Sequence, residues 1–413
     1  MKMFARLREI ARTEFGRTVI DFTIITLLAI IIFRNFLFSS GWPAGGDVLG
    51  WISREYLFGK DFRWIYMWRP YSFGFVEGIN SMDFLLALIY SMCSDPAITI
   101  KVFMLFSFLL AGFSMYAFAY HYTRKHSASL AASLTYTLNQ WFFSQFTEAH
   151  IDITFSYAFA PLLFLLLARA LETRKTKDAL ALTLAFLVFV TGFHPECLVI
   201  YGVFMPLFVI LHVLLLMKSK DFSAGVRHLL KITSPVVVIT FFLSAFLLVP
   251  FIANVRAPYY SPAYKYPLED AMMWSYTSAI EPLTLTGIES WGYVFAVDIP
   301  EGLSLPLFPI SLLLLGLFFL SYSTILLKRD KYTIFFVVST LVSLFISLGP
   351  NPPLGSLFIW AWFNVPHFAV FRAAGRWVMM IAFSNAFFVS ILVKVLIDYI
   401  RKRRELETSE VYL

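Results

Sequence analysis

Side chains able to do chemistry are sparse in this chain, and they gather at four places. Asp47 closes the stretch Gly41-Trp42-Pro43-Ala44-Gly45-Gly46-Asp47, a turn made permissive by three glycines and a proline directly after a long apolar run. A carboxylate there lies where a polar head group would meet a bilayer surface, so Asp47 is the leading candidate for a reactive group, against the plainer reading of a solvated loop aspartate. The turn Glu148-Ala149-His150-Ile151-Asp152 carries two carboxylates and an imidazole at alternate positions. An extended segment would present all three on one side. Oxygen plus imidazole ligation suits Mn or Mg, and such a cation could neutralise a phosphate leaving group; the rival reading is a polar hairpin tip. His194 and Glu196 flank Pro195 at a neighbouring tip, as substrate-binding candidates or as satisfied interfacial side chains. Arg372 and Arg376 are four apart, hence on one face if a helix has begun there. Arginine suits bidentate contact with phosphate oxygens, although a pair reaching to lipid phosphates would look the same.

Composition limits what these groups can belong to. The 413 residues are 59% hydrophobic and only 14% charged, which sets the chain outside soluble domains and makes it an integral membrane protein. The net charge of +7 could suggest a nucleic-acid binder, but the basic residues fall mostly in loops of one side of a membrane topology. The 46 phenylalanines are packing and lipid-facing surface without a base-stacking pattern, so no nucleic acid is expected as a partner. Cys93 and Cys197 form no zinc-type pattern, and one bridge between them is conceivable. There is no P-loop, no dinucleotide-binding glycine motif and no Ser/His/Asp arrangement of identifiable spacing.

Helical spans must position the polar groups. Lys2, Arg6, Arg8, Arg12 and Arg17 precede an apolar run too long for a signal-peptide core, which reads as an uncleaved signal anchor with its N-terminus inside. Spans are expected at Val19–Phe38, Ile98–Tyr120, Ala128–Phe146, Ile153–Ala170, Ala179–Gly192, Leu198–Met217, Pro235–Ile252, Leu305–Leu327, Phe335–Leu348 and Val378–Ile400, about ten crossings with both termini cytoplasmic. Asp21 and Arg34 lie near the ends of the first span and read as snorkelling side chains. Residues 39–97 form a first external loop with interfacial helices, including Met82–Cys93, which is too short to cross. Residues 253–303 form a second large external loop. The expected fold is therefore all-α, a single polytopic helix bundle over 1–413 in the plasma membrane, with all four polar clusters on the extracytoplasmic face.

An acidic residue in the first external loop, a further acidic motif between the third and fourth spans, and interfacial helices in the first loop resemble the GT-C superfamily of membrane glycosyltransferases. The stretches Gly41 to Asp47, Gly192 to Glu196, Leu348-Gly349-Pro350 and Pro366 to Arg376 are similar in particular to the 6-pyruvoyl-tetrahydropterin synthase-related membrane proteins. The resemblance implies sugar transfer from a polyprenyl-phosphate or polyprenyl-pyrophosphate donor to a glycan, lipid or protein acceptor. It makes Asp47 the catalytic carboxylate acting as general base, with Glu148 and Asp152 as the second acidic motif. Glu148, His150 and Asp152 would be ligands of a divalent cation, while His150, His194, Glu196, Arg372 and Arg376 would bind substrate. The chain departs from that pattern in having His at the centre of its second motif. It also ends at Leu413 without the further spans and external domain that many relatives carry. A transporter or flippase for a lipid-linked or anionic substrate, or an inactive scaffold, are the alternatives; a transporter would place polar groups at mid-membrane depth and repeat its first half in its second.

Overall fold

The computed structural model describes residues 13–41, 68–69, 75–76, 81–148, 150–173, 175–192, 194–216, 222–255, 267–285, 316–317, 319–326, 329–365 and 368–410. Apart from a two-residue antiparallel pairing of Trp68–Arg69 (β1) with Phe75–Val76 (β2), the described secondary structure is helical. The main helices are Glu14–Phe38 (α1), Ser81–Cys93 (α2), Pro96–Thr123 (α3), His126–Thr137 (α4), Gln140–Thr147 (α5), Ile151–Thr173 (α6), Thr176–Gly192 (α7), Pro195–Leu216 (α8) and Phe222–Val255 (α9). After the short helices Leu268–Met273 (α10) and Ile280–Thr284 (α11) come Lys331–Ser347 (α12), Gly355–Asn364 (α13) and Val378–Glu410 (α14). Among the described residues, five helical stretches are long and apolar enough to cross a membrane: Glu14–Phe38, Pro96–Thr123, Ile151–Thr173, Glu196–Leu214 and Ala374–Arg403.

The helices begin where the sequence supplies caps. Asp95 accepts from Ile98 N–H at 2.9 Å with Pro96 just behind it, a combination suited to a helix start. Asp330 and Thr333 make a reciprocal capping box on α12. Short antiparallel connections then stack the helices: α3 lies against α1, α4 and α6, α7 against α6 and α9, and α14 against α4 and α12. Where they meet, Phe383 takes Phe336, Phe118 and Phe164 edge-on, with centroids 4.9, 5.0 and 5.6 Å away. Such edge-to-face rings each add about 0.5–1.5 kcal/mol beyond the area they bury.

Polar groups knit one end of the bundle. Glu172 accepts from Tyr332 Oη at 2.6 Å and meets Lys331 Nζ at 2.7 Å and His121 Nε2 at 3.0 Å. Tyr122 donates to Asp330 at 2.6 Å, and Lys125 pairs with Asp398 at 3.1 Å. Residues 121–126 and 330–331, expected in cytoplasmic loops, therefore lie together. Asp21 belongs to this same end and corrects the snorkelling expectation. It is 8% exposed, accepts from Tyr116 Oη at 2.7 Å, and lies 3.6 Å from His126. A carboxylate with two such partners gains more from the helix interface than from reaching into water.

The expected span Ala128–Phe146 is not continuous. It breaks between α4 and α5 at Leu138 and Asn139. Asn139 Oδ1 caps α5 by accepting from Phe142 N–H at 2.9 Å, while its Nδ2 donates to Tyr136 O at 2.6 Å and Tyr157 Oη at 3.0 Å. Across the break, Tyr136 and Tyr157 stack with centroids 4.1 Å apart and exchange bonds. Tyr136 Oη donates to Tyr157 O at 2.8 Å, and Tyr157 Oη to Tyr136 O at 2.7 Å. Each carbonyl has a reason to need a partner. Pro161 in α6 lacks the N–H that would reach Tyr157 O, and Tyr136 O lies in the last turn of α4.

In the expected first external loop, residues 68–69 and 75–76 pair as β1 and β2, and the expected short helix is present as α2, with Met82 and Leu86 buried and Phe84 and Met92 exposed. Gly192, at the end of α7, approaches α2 so closely that a Cβ would overlap Ser81 Oγ. Of the second expected loop, the described part runs through α10 and α11. Cys93 and Cys197 are free thiols.

Replacing Asn139 with Ala removes the α5 cap and two buried donors. The expected cost is about 2 kcal/mol or more, read as a lower thermal midpoint in detergent. A midpoint equal to that of the parent protein would deny the amide this role.

Candidate functional site

The other end of the bundle holds the sequence candidates, and the chain positions them through helix starts. After α5, Glu148 takes the capping position with helical backbone angles, and the His150 N–H returns to Gln145 O at 3.0 Å. This tight turn launches α6 at Ile151, whose next residue, Asp152, accepts from Ile153 N–H at 2.9 Å. The segment is therefore not extended, and the expectation that Glu148, His150 and Asp152 share one side fails. Glu148 lies beside His150, while Asp152 turns toward His194.

His194 sits just ahead of α8, with Pro195 and Glu196 in the first turn; its carbonyl accepts from Leu198 N–H at 3.0 Å. Its own N–H donates to Ser156 Oγ at 3.0 Å, and Ser156 Oγ in turn donates to Asp152 O at 2.6 Å. The α8 start is thus hung on the first turns of α6, and His194 Nε2 lies 4.0 Å from Asp152 Oδ2. Asp152 and Glu196 both stand in first turns, where a carboxylate is favoured by the positive end of the helix dipole.

The fourth element arrives through a turn the sequence reading did not anticipate. Residues Phe368–Phe371 and Ala374–Trp377 are two 3-10 turns, and α14 begins only at Val378. Arg376 N–H bonds Ala373 O at 3.0 Å. The two arginines accordingly do not share an α-helical face: Arg372 lies between the turns and Arg376 within the second. Gly375 N–H donates to Trp274 O at 2.8 Å, Tyr276 N–H to Ser347 O at 3.0 Å, and Asn351 Nδ2 to Tyr276 O at 2.9 Å. Residues 274–276 therefore brace both the arginine turn and the end of α12. Gly349, at φ +51°, lies against Ser275 so closely that a Cβ would overlap its hydroxyl. Gly349-Pro350 was the sequence signal for this turn; nothing in the pattern pointed to its partner at 274–276.

Arg376 Nη1 donates to Glu196 Oε2, and this pair, with side chains 11% and 14% exposed, joins the turn before α14 to α8. His150 Nδ1 bonds Gln145 Oε1 at 3.0 Å and lies 3.2 Å from Glu148 Oε2, outside hydrogen-bond geometry with it. Burial pushes the His150 imidazole down to about 4, with Arg376 pushing the same way and Asp152 opposing. Burial likewise lowers His194 to about 4, helped by Arg376 and Arg372 and opposed by Glu196. Both rings are consequently neutral at pH 7. His150 thus lies within electrostatic reach of Arg376, Asp152 and His194, and His194 within reach of Arg376, Arg372 and Glu196, while Glu148 stands beside His150. Asp47 lies outside the described residues.

The described geometry does not fit a cation held by Glu148, His150 and Asp152 together. Glu148 faces the ring nitrogen rather than a shared centre, Asp152 faces His194, and among the described residues no three His, Cys, Asp or Glu side chains are gathered as metal ligands. What the arrangement offers instead is the guanidinium groups of Arg372 and Arg376, the latter paired with Glu196, near two neutral imidazoles. That set suits a ligand with an anionic part and hydroxyl groups. Gln145 was missed in the sequence because an amide inside an apolar aromatic run reads as filler.

Because the folded rings titrate near 4 and an unperturbed histidine near 6.5, the unfolded chain binds protons between these values that the folded chain does not. Their contribution to stability is complete above about pH 6.5, declines as pH falls, and levels off below about 4. Thermal midpoints measured from pH 7 to 4 should fall less steeply for His150→Gln and His194→Gln than for the parent protein. Equal slopes would contradict the buried neutral state.

A family model described as a 6-pyruvoyl-tetrahydropterin synthase related domain, a membrane protein, matches residues 83–394. No curated protein sequence matches the chain. The matched span contains every candidate except Asp47.

Proposed function

We propose that this chain, which belongs to the 6-pyruvoyl-tetrahydropterin synthase-related family of membrane proteins, is a glycosyltransferase of the GT-C kind. In this reading it moves a sugar from a polyprenyl-phosphate-linked donor to a hydroxyl of a glycan, lipid or protein acceptor. The observation that carries the reading is the meeting of α5, α6, α8 and the arginine turn at one end of an apolar bundle, where carboxylates, neutral imidazoles and guanidinium groups lie together. In this reading the end with the polar cluster is extracytoplasmic and both termini are cytoplasmic, which the excess of basic residues in the loops of the opposite end supports. Lipid-linked sugars are then the accessible donors, since soluble nucleotide sugars stay on the other side.

The chemistry assigned is a single inverting displacement. Asp47 takes the proton from the acceptor hydroxyl as its oxygen bonds to the anomeric carbon; the bond from that carbon to the phosphate oxygen breaks, and polyprenyl phosphate leaves. Arg372 and Arg376 offset the charge that develops on the leaving phosphate. Glu196 holds Arg376 in place before the donor arrives, and the phosphate then competes for the same guanidinium. Asp152, next to His194, lines the sugar side.

The test is transfer from a defined polyprenyl-phosphate sugar by purified protein in vesicles, with and without a chelator to read any cation dependence. Asp47→Asn is expected to abolish transfer with an unchanged thermal midpoint; full activity in that variant would remove Asp47 as base. Arg372→Ala should raise the donor KM about tenfold or more, the loss of a charge-assisted contact worth about 1.5–3 kcal/mol, while leaving the acceptor KM unchanged. Movement of the lipid across the vesicle without sugar transfer would replace the reading by a flippase.

A further inference from the structure

Lys101 lies in the second turn of α3 and is only 5% exposed. Among the described residues no carboxylate pairs with it. Its ammonium reaches the end of α1 instead, donating to Ser39 O at 2.5 Å and to Ser39 Oγ at 3.1 Å. The Ser39 hydroxyl in turn donates to Phe36 O at 3.0 Å. The last carbonyls of a helix lack intrahelical donors, and the helix dipole favours a cation at that end. α1 has no basic side chain in its last turn, so its cation comes from α3. Many helices end on a left-handed residue that turns the chain back over these carbonyls. Ser39 is extended, at φ −68° and ψ 146°. The direction in which the chain leaves α1 is therefore set by a contact to α3 rather than by a local turn. This exit lies at the end of the bundle that holds the polar cluster. Phe33 of α1 packs on Phe146, two residues before Glu148, with centroids 5.2 Å apart. Phe103, one residue beyond Val102 and two beyond Lys101, packs on Phe155, three residues after Asp152, with centroids 6.0 Å apart. Asp47 follows Ser39 by eight residues, so covalent length keeps it within about 28 Å of that point.

We propose that Lys101 is a positioning residue: by closing the end of α1 it fixes where, and in which direction, the chain leading to Asp47 leaves the bundle. It does this without meeting donor or acceptor. Holding Ser39 narrows the volume within which Asp47 must find the acceptor hydroxyl, an advantage of orientation in the chemical step and not a binding contact. The link to Asp47 as base rests on the glycosyl-transfer reading, whereas the hold on the end of α1 does not.

The hold is read from the distance between two spin labels in the full chain, reconstituted in vesicles. One is attached through Gly41→Cys, where a Cβ would meet nothing within 4 Å, and the other through Leu88→Cys, exposed on α2. Cys93→Ser removes the partly exposed native thiol, and Cys197 is fully buried. One narrow distance distribution is expected with Lys101 in place; a broad one overturns the proposal, whether or not any Lys101 variant folds. Lys101→Met keeps the apolar stem, removes the donors and should broaden the distribution, whereas Ser39→Ala keeps the Ser39 carbonyl and should not. An unchanged distribution in Lys101→Met overturns the hold. In transfer from the polyprenyl-phosphate sugar, Lys101→Met is expected to lower kcat about tenfold or more with donor and acceptor KM unchanged, and Ser39→Ala to keep the parent kcat. A broadened distribution with an unchanged kcat, or a loss expressed in KM alone, overturns the positioning role. If the labels behave as expected and the parent protein never transfers sugar, the glycosyltransferase reading falls and the hold of Lys101 on α1 stands.

Discussion

An apolar bundle cannot leave a backbone carbonyl without a donor, and the exchange between Tyr136 and Tyr157 answers that constraint where one helix ends and its neighbour lacks a backbone donor at Pro161. Pro161 frees the carbonyl of Tyr157, and the end of α4 frees that of Tyr136; each ring reaches across to satisfy the other. An unmade bond of this kind in a buried setting costs about 1–3 kcal/mol, so the interruption is tolerable only because both partners are present. The interruption in turn lets α5 take its own direction. Without it a straight helix would carry Gln145 and Glu148 past the start of α6, and the turn that brings His150 back to Gln145 could not close.

The charged part of the site obeys the same economy in a different form. Arg376 and Glu196 are both largely removed from water, and an isolated charge in that position would cost several kcal/mol. Their pairing ties α8 to the turn before α14, so the position of the guanidinium is inherited from two helices rather than from a mobile loop. The imidazoles take the opposite course. Burial and the nearby guanidinium groups keep them uncharged, so they contribute directional hydrogen bonds where an additional cation would be repelled. Residues 274–276 give the arginine turn its backing, and the left-handed Gly349 lets them approach.

The sequence was readable where apolar length and polar interruption coincide. The expected spans from Ile98, Leu198 and Phe335 are helical, each starting a few residues earlier at Pro96, Pro195 and Lys331, and the grouping of Glu148, His150, His194, Glu196 and Arg376 near one end follows from antiparallel spans of similar length. Detail that depends on partners distant in the chain was not readable. Asp21 near a helix end looked like a snorkelling carboxylate because its partner Tyr116 lies in another helix. The apolar content of Ala128–Phe146 concealed a break that one asparagine enforces, since hydropathy averages over Asn139. The spacing of Arg372 and Arg376 suggested a helical face, but tight 3-10 turns before α14 are set by contacts to residues 274–276 and not by local pattern. The sharing of Glu148, His150 and Asp152 failed for a related reason, since alternation predicts a common side only for extended chain.

The Asn139 amide also decides which pieces of this region depend on one another. By itself, the segment from α4 through α5 carries a side-chain amide and a set of unsatisfied helix-end groups about 18 Å from its His126 end. Only part of that deficit is met within the segment, because the hydroxyl that accepts from Asn139 and caps Tyr136 O belongs to α6. The smallest piece of this region with its amide satisfied is therefore the stretch of residues 126–173, in which each leg supplies what the other lacks.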